Sequence, residues 1–228
     1  MNAVVRDVSF DCRLVLFDLD GTLIDSAPDL AGAANDLRAE HGLAPLPYAA
    51  LRPMVGSGAR GMVGVAFGQA PGDAGFEALR DAFLARYAQR LLVQTRVFDS
   101  VAPLLDQLDA LGLAWGIVTN KAMRFTAPIV AGLGLDRRAA AVIGGDSTPL
   151  SKPHPEPLLE AARRAGVSPQ HCVYVGDDHR DVVAGRAAGM ATLVAAWGYL
   201  GQGEPVQAWG ADAILATPNQ LLQWLQLT

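Results

Sequence analysis

Six short apolar runs, separated by stretches with helical periodicity, constrain the fold of this chain more than any other feature of its sequence. The runs are continuous rather than alternating, which is typical of strands that are buried on both faces. The predicted strands cover residues 13–18, 113–119, 140–145, 172–177, 191–196 and 211–216. The predicted helices between them cover residues 101–112, 156–166 and 180–189. This alternation predicts an α/β fold, with an open parallel sheet and helices on both faces.

One segment, from Pro28 to about Gln94, breaks this alternation because it contains no convincing strand. Residues 27–42 and 75–92 have the apolar spacing of amphipathic helices, and a glycine- and alanine-rich stretch lies between them. We therefore predict a helical cap domain at residues 28–94, inserted after the first strand. The core domain then consists of residues 1–27 and 95–228.

The overall charge and composition exclude several classes of protein. The 228 residues carry a net charge of -5 without a basic stripe, which argues against nucleic acid as a partner. No apolar run approaches the roughly 18 residues of a membrane span, and the N-terminus lacks the apolar stretch of a signal peptide. Cys12 and Cys172 lie beside predicted strands without metal-ligand spacing, as buried thiols of a reducing compartment do. We expect a cytoplasmic protein that contacts no nucleic acid and no membrane.

Two aspartates stand at the end of the first predicted strand, in the stretch LVLFDLDGT. Ligands of open parallel sheets bind at the carboxyl ends of strands, and residues two apart in an extended chain point to the same side. The carboxylates of Asp18 and Asp20 would therefore repel each other unless a cation lay beside them. Mg²⁺ is the expected cation, because it prefers oxygen ligands. The alternative is a turn or a helix N-cap, in which aspartate and glycine are also common.

Neutral hydrogen-bonding groups and a lysine follow at neighbouring strand ends. Thr119 and Asn120 end the second predicted strand and could bind an anionic oxygen, although a turn or a helix N-cap explains these two residues better when they are taken alone. Lys152 precedes three prolines spaced by one residue, which fix the backbone and would hold the lysine near the site. The alternative is an ordinary exposed lysine in a loop.

Further aspartates follow the fourth predicted strand in the stretch VGDDHRD. Asp177 comes directly after the strand, where a metal ligand could lie. Asp181 lies one helical turn later and could orient the groups that touch the metal. The alternative is an acidic helix N-terminus whose side chains cap the helix and complement its dipole. Since carboxylates, neutral donors and a lysine recur at successive strand ends, chance is a poor explanation for the whole set.

Four motifs of this sequence, DLDGT, VTN, KP and GDDHRD, resemble those of the haloacid dehalogenase superfamily. The resemblance extends from residue 13 to about residue 217. The helical insertion resembles the small cap of the phosphoglycolate phosphatase-like branch. This resemblance implies a Rossmann-like parallel-sheet core with an inserted α-helical cap domain that closes over the active site.

The resemblance also implies a phosphate monoester hydrolase with a role for each motif residue. Asp18 would be the nucleophile that forms an aspartyl-phosphate. Asp20 would be the general acid that protonates the leaving alkoxide and later activates water. Mg²⁺ would be bound by the Asp18 carboxylate, the Asp20 backbone carbonyl and Asp177. An aspartate at position 20 favours phosphoryl transfer over dehalogenation, because a halide leaving group needs no proton.

The remaining motif residues would handle the phosphate and the surroundings of the metal. Thr119, Asn120 and Lys152 would hold the phosphoryl oxygens as charge shifts. By the same resemblance, Asp181 would tune the metal site rather than bind the ion directly, and Asp178 could share that role.

The expected partner is a small phosphorylated metabolite, which the cap should select. In GSGARG, residues 56–61, the backbone around Gly58 could present N–H groups to a substrate carboxylate, helped by Arg60. A flexible loop with a solvated arginine is an equal alternative. In GTLIDSAPDLA, VTNK, VIGGD and KPHPEPLL the sequence resembles phosphatases of 2-phosphoglycolate, which is the substrate that we place first. In GSGARGMV, GFEALRDAFLARY, LAWGIVTNKAMRF and WGADAIL it also resembles those of N-acetylmuramic acid 6-phosphate. Both substrates stay open, as does the choice between a monomer and a homodimer.

Two other functions use a similar core. A mutase of the β-phosphoglucomutase kind would retain all the same motif residues. A non-catalytic protein that binds a phosphometabolite has no need of both Asp18 and Asp20, so the presence of this pair argues against it.

Overall fold

A parallel sheet lies at the centre of the protein, which we describe from a computed structural model over residues 10–227. The strands in this range are β1 (Leu14–Phe17), β2 (Ile24–Asp25), β3 (Arg96–Val97), β4 (Ala114–Val118), β5 (Val142–Ile143), β6 (Cys172–Gly176), β7 (Ala191–Ala195) and β8 (Ala213–Leu215). Six of these described strands form the sheet in the order β5-β4-β1-β6-β7-β8. Every pairing in that sheet is parallel.

Helices cover the sheet and extend from it. The α-helices in the described range are α1 (Ala27–Glu40), α2 (Tyr48–Leu51), α3 (Gly58–Phe67), α4 (Phe76–Ala88), α5 (Ala102–Ala110), α6 (Met123–Gly132), α7 (Glu156–Ala165), α8 (His179–Ala187) and α9 (Gln220–Trp224). Short 3-10 helices lie at Arg52–Ser57, Pro169–His171 and Val206–Ala208.

The parallel α/β fold predicted from the sequence is confirmed. Each of the six predicted strands contains an observed one, and the three predicted helices correspond to α5, α7 and α8. All residues of β1, β6 and β7 are buried, which explains why their apolar runs are continuous. The predicted strand at 140–145 is shorter than expected. Only Val142 and Ile143 pair, because the chain turns at Gly145, whose N–H donates to the carbonyl of Lys121.

Four helices, α1 to α4, occupy the segment without strands, and we call them the inserted helices. Helix α1 packs against both α3 and α4. The sequence analysis missed a small antiparallel sheet at the point where the chain enters and leaves these helices, in which Ile24 pairs with Val97 and Asp25 with Arg96. Two-residue strands are too short for a periodicity to reveal them. The domain boundaries at 27/28 and 94/95 stay a prediction.

The cysteines are free thiols with little reactivity. Cys172 is buried and Cys12 is half-buried. Burial raises the pKa of Cys12 to about 12 and that of Cys172 to about 11, so both thiols stay protonated near neutral pH. No helix between residues 10 and 227 is long and apolar enough to cross a membrane. Residues 1–9, on which part of the signal-peptide prediction falls, lie outside the described residues.

A buried carboxylate on α1 binds the segment through which the chain returns from the inserted helices to the sheet. Asp29 on α1 is fully buried. Its Oδ2 accepts hydrogen bonds from the backbone N–H of Gln94 at 2.9 Å and of Thr95 at 2.8 Å, and from the Thr95 hydroxyl at 2.8 Å. The Arg90 guanidinium lies 3.6 Å from the other oxygen. These contacts tie the start of α1 to the segment that leads into β3.

The Asp29→Ala variant should unfold with a free energy lower by about 2–3 kcal/mol, because it leaves buried backbone donors without an acceptor. The matched control is Asp36→Ala, whose exposed carboxylate also contacts Arg90 and should cost less than about 1 kcal/mol. Urea unfolding followed by circular dichroism measures both. Equal losses in the two variants would contradict the role of Asp29 as the fastening residue.

Candidate active site

The carboxyl ends of three adjacent strands bring the predicted site together. Strand β1 lies between β4 and β6, and the chain continues outward from it in both directions, so the strand order reverses at this point. Such a reversal leaves a crevice at the sheet edge. Asp18 follows β1, Thr119 follows β4 and Asp177 follows β6. Residues separated by more than a hundred positions in the chain therefore line one cavity.

Three carboxylates form the centre of this edge. Asp18, Asp177 and Asp181 each offer an oxygen within 4.8 Å of the others. Burial raises the pKa of Asp18 to about 6 and holds that of Asp177 well above its ordinary range, and the neighbouring carboxylates add to both shifts. Asp177 is held by the hydroxyl of Thr22 at 2.9 Å and by the backbone N–H of Tyr199 at 2.8 Å. A crowded, buried set of oxygen donors fits a hard divalent cation.

Lys152 is the ammonium group of the site and is only 4% exposed. Its Nζ lies 2.9 Å from Asp18 Oδ1 and 2.7 Å from Asp181 Oδ1. It also donates to the Tyr174 hydroxyl at 2.7 Å and to the Val118 carbonyl at 3.0 Å. Burial alone would lower the pKa of Lys152, but the two carboxylates raise it, so the group stays charged. The alternative of an exposed loop lysine is therefore wrong.

The two polar residues after β4 line the cavity as predicted. Asn120 joins two loops, because its amide nitrogen donates to the Lys152 carbonyl at 2.8 Å and its oxygen accepts the Lys152 N–H at 3.0 Å. The Thr119 hydroxyl accepts the N–H of Lys121 at 3.2 Å. Asn120 thus fixes the backbone that carries the buried lysine.

Asp178 and Asp181 have different surroundings. Asp178 caps α8, where its Oδ1 accepts the Arg180 N–H at 2.9 Å. Burial alone would raise the pKa of Asp178, but its hydrogen bonds with Arg180 lower it. Arg180 also donates to the carbonyl of Gly56 beside the inserted helices. Asp181 accepts the Asp178 N–H at 3.0 Å and also lies in the carboxylate cluster, where it offers an oxygen within 4.8 Å of those of Asp18 and Asp177.

The cavity has a volume of about 410 Å³ and lies between the sheet edge and the inserted helices. Its apolar wall consists of Leu30, Val55, Phe83, Leu84, Tyr87 and Phe125. Gly58 lines it at the start of α3, and the binding of a substrate carboxylate there stays a prediction. Arg60 is exposed and is not among the residues that line the cavity, because α3 turns its side chain away. The structure places Arg124 there instead.

Lys121 is the most important site residue that the sequence analysis missed. Its Nζ lies 3.0 Å from Asp20 Oδ1 and donates to the Tyr87 hydroxyl at 2.6 Å. The Ser26 hydroxyl donates to the same oxygen of Asp20. The position of Lys121 directly after VTN could have indicated a charged group at the end of this strand. The contacts with Tyr87 and Ser26 depend on tertiary packing, and no sequence pattern indicates them.

Comparisons with known proteins agree with this geometry. Residues 12–189 match the family model of haloacid dehalogenase-like hydrolases. The chain is 49% identical to a phosphoglycolate phosphatase of Xanthomonas campestris pv. campestris, over 92% of this chain and 94% of the relative. It is 41% identical to an N-acetylmuramic acid 6-phosphate phosphatase of Pseudomonas aeruginosa, over 93% and 94%. A crystal structure of a predicted phosphoglycolate phosphatase from Haemophilus somnus superposes with a TM-score of 0.82 at 28% identity, over 94% and 98%.

Gly21 should tolerate no side chain. It has a φ of 86°, and an added Cβ would overlap Asp177 and the ring of Tyr199. Gly21→Ala should therefore displace the Asp177 carboxylate and abolish activity. Gly42→Ala is the matched control, since Gly42 also has a positive φ, of 68°, but its Cβ would meet nothing within 4 Å. It should lose only about 1–2 kcal/mol of stability from backbone strain and keep its activity. Activity assays and thermal unfolding of both variants test this, and full activity of Gly21→Ala would contradict it.

Proposed function

The chain belongs to the haloacid dehalogenase-like hydrolase family and is a phosphoric monoester hydrolase, and on this premise we propose that it is a Mg²⁺-dependent phosphatase of a carboxylate-bearing metabolite. The main support for the proposal is that several carboxylates line a single cavity. Asp18 and Asp20 line the same cavity, and a buried ammonium holds Asp18. An acid and a nucleophile side by side suit a two-step displacement at phosphorus.

The reaction uses the two aspartates in turn. An oxygen of Asp18 attacks phosphorus, and the bond from phosphorus to the substrate oxygen breaks, which leaves an aspartyl-phosphate. Asp20 gives its proton to the departing oxygen. Water then attacks the aspartyl-phosphate while Asp20 takes a proton from it, and the products are inorganic phosphate and the original Asp18 carboxylate. Lys152, Thr119 and Asn120 border the same space and would hold the phosphoryl oxygens.

The donor set of the site suits Mg²⁺. Asp18, Asp177 and the backbone carbonyl of Asp20 would hold the ion, and Asp181 lies close enough to take part. The Lys152 ammonium pairs with Asp18 and Asp181, while Asp177 is held only by neutral donors. That leaves buried negative charge for a cation to balance. When bound, Mg²⁺ lets an anionic nucleophile approach an anionic phosphate.

A second anionic group on the substrate would have a partner in Arg124. This arginine lines the cavity, and among the described residues no carboxylate pairs with it. Its guanidinium lies 4.6 Å from the centre of the Phe125 ring, which leaves its planar edge available. The start of α3 at Gly58 faces the same cavity and would add backbone N–H donors.

Two substrates carry both a phosphate and a carboxylate. The name of the 49% identical relative points first to 2-phosphoglycolate. The name of the 41% identical relative points to N-acetylmuramic acid 6-phosphate. The cavity also supports the second candidate, because 410 Å³ with an apolar wall lies in the range of small-molecule sites and leaves room for a sugar.

The remaining features of the proposal concern the cell. We place the enzyme in the cytoplasm as a monomer or homodimer whose partner is a small phosphorylated metabolite. Free, unreactive thiols support a reducing compartment.

Removal of metal should abolish phosphate release, and added Mg²⁺ should restore it. Asp177→Asn should raise the Mg²⁺ concentration for half-maximal activity at least about 10-fold. Asp106→Asn, an exposed aspartate paired with Arg138, is the control and should change nothing. Asp18→Asn should release no phosphate at all. A wild-type enzyme that releases no phosphate but isomerises a sugar phosphate would favour the mutase, and one without any turnover would favour the binding protein.

Arg124→Gln should raise KM about 10-fold or more for N-acetylmuramic acid 6-phosphate and 2-phosphoglycolate, because it removes a charged hydrogen bond to the carboxylate. KM for N-acetylglucosamine 6-phosphate, which lacks the carboxylate, should stay unchanged. Arg60→Gln is the matched control and should alter none of the three values. The ratio of kcat/KM for the two acids in the wild type decides the substrate. Equal effects of Arg124→Gln on all three esters would contradict carboxylate recognition.

A further inference from the structure

We propose that Lys121 and Tyr87 form a positioning pair that orients the Asp20 carboxylate, so that proton transfer to the leaving oxygen requires helix α4 to be seated on the sheet edge. This inference rests on the proposed function, since it takes Asp20 as the group that moves the proton. Lys121 follows β4 in the core, whereas Tyr87 lies near the end of α4 among the inserted helices.

The contacts of Lys121 link these two parts of the fold. Its Nζ lies 3.0 Å from Asp20 Oδ1 and 2.6 Å from the Tyr87 hydroxyl. The side chain of Lys121 is only 8% exposed, and Tyr87 is 2% exposed. Lys121 contacts Asp20 through Oδ1, so it orients the carboxyl group whether or not Oδ2 carries a proton.

The backbone of Lys121 is anchored independently of Asp20. Its carbonyl accepts the Gly145 N–H at 2.9 Å and the Thr126 hydroxyl at 3.0 Å, and its N–H donates to Thr119 at 3.2 Å. The side chain is therefore the only part that could swing. Tyr87 holds that side chain through its hydroxyl and through its ring, whose centre lies 4.5 Å from Nζ.

Tyr87 is itself fixed by aromatic neighbours on both parts of the fold. Its ring stacks on Phe83 of α4 at 6.5 Å between centres and packs on Phe125 of α6 at 5.6 Å. The hydroxyl reaches Lys121 in the position in which the Tyr87 ring packs on Phe125. The Tyr87 contact thus makes the position of Lys121 depend on the position of the inserted helices.

The hydrogen bonds of Asp20 show what this positioning achieves. Lys121 and the Ser26 hydroxyl both contact Oδ1. No donor among the described residues contacts Oδ2, which is the oxygen left to exchange a proton in the cavity. In the first step the O–H bond at Oδ2 breaks and the proton moves to the departing oxygen as its bond to phosphorus breaks. In the second step Oδ2 takes a proton from the attacking water.

If the pair acts through Asp20, its loss should affect substrates differently according to their leaving groups. Phosphate esters of alcohols need a proton on the departing oxygen, whereas p-nitrophenyl phosphate releases a stable anion without one. The constant kcat/KM reports the steps up to the formation of the aspartyl-phosphate. Loss of the pair should therefore lower kcat/KM for an alkyl ester much more than for p-nitrophenyl phosphate.

The variants are chosen to preserve packing. Lys121→Met keeps the length of the side chain and removes its charge, and Tyr87→Phe keeps the ring and removes the hydroxyl. With the better of the two acid substrates, Lys121→Met should lower kcat/KM about 10- to 100-fold and Tyr87→Phe about 3- to 10-fold, as fractions of the general-acid contribution. With p-nitrophenyl phosphate both should lose less than about 3-fold. The double variant should be no worse than Lys121→Met, because the two residues act as one unit.

The controls separate the failure of this inference from that of the proposed function. Asp20→Asn should show the strongest dependence on the leaving group. If Asp20→Asn lowers kcat/KM equally for the acid substrate and for p-nitrophenyl phosphate, the assignment of Asp20 as general acid is wrong. Asp20→Asn could instead depend on the leaving group while the Lys121 and Tyr87 variants lower kcat/KM equally for both esters or leave it unchanged. In that case only the positioning pair is overturned. Tyr48→Phe, on an exposed tyrosine outside the cavity, should match the wild type, and thermal unfolding midpoints should show that every variant is folded.

Discussion

The buried ammonium of Lys152 is the interaction on which the site depends. It lies 2.9 Å from Asp18 Oδ1 and 2.7 Å from Asp181 Oδ1, between two buried or half-buried carboxylates that repel each other. A buried charge left without its partner costs about 3–5 kcal/mol, so neither carboxylate could be packed here alone. The strand ends, the Asn120 bridge to the Lys152 backbone and the cap of α8 all serve to bring these charges within contact. The remaining negative charge is what makes the site suitable for a divalent cation.

The inserted helices complete a cavity that the sheet edge alone leaves open. The sheet supplies the charged and polar groups to which the proposed function assigns phosphate binding, and these lie on short loops directly after buried strands. The helices supply the apolar wall, the start of α3 and the Tyr87 hydroxyl. Asp29 and the small β2–β3 sheet fix the two points at which the chain crosses between these parts. Asp20 contacts both Ser26, directly before α1, and Lys121 in the core, so in the proposed mechanism its proton transfer would depend on how the helices are seated.

Much of this organisation was predictable because it depends on local patterns. A strand buried on both faces must be continuously apolar, so the six strands of the sheet were located within a few residues. The carboxyl ends of parallel strands meet at one edge, so the motif residues were expected together and are found together. The predictions were weaker for residues whose role depends on the direction in which the side chain points. Arg60 lies in the first turn of α3, where its side chain is exposed to solvent, and Arg124 of α6 lines the cavity in its place.

The sequence by itself determined the parallel α/β sheet, the helical nature of the insertion and the chemistry of the strand ends, because periodicity and residue type are properties of neighbours along the chain. Only the tertiary structure decided that Asp181 joins the carboxylate cluster, that Lys121 is shared between Asp20 and Tyr87, and that the cavity is large and apolar on one side. Those facts depend on distances between residues far apart in sequence. Packing of the helices against the sheet sets such distances, and no local pattern encodes them.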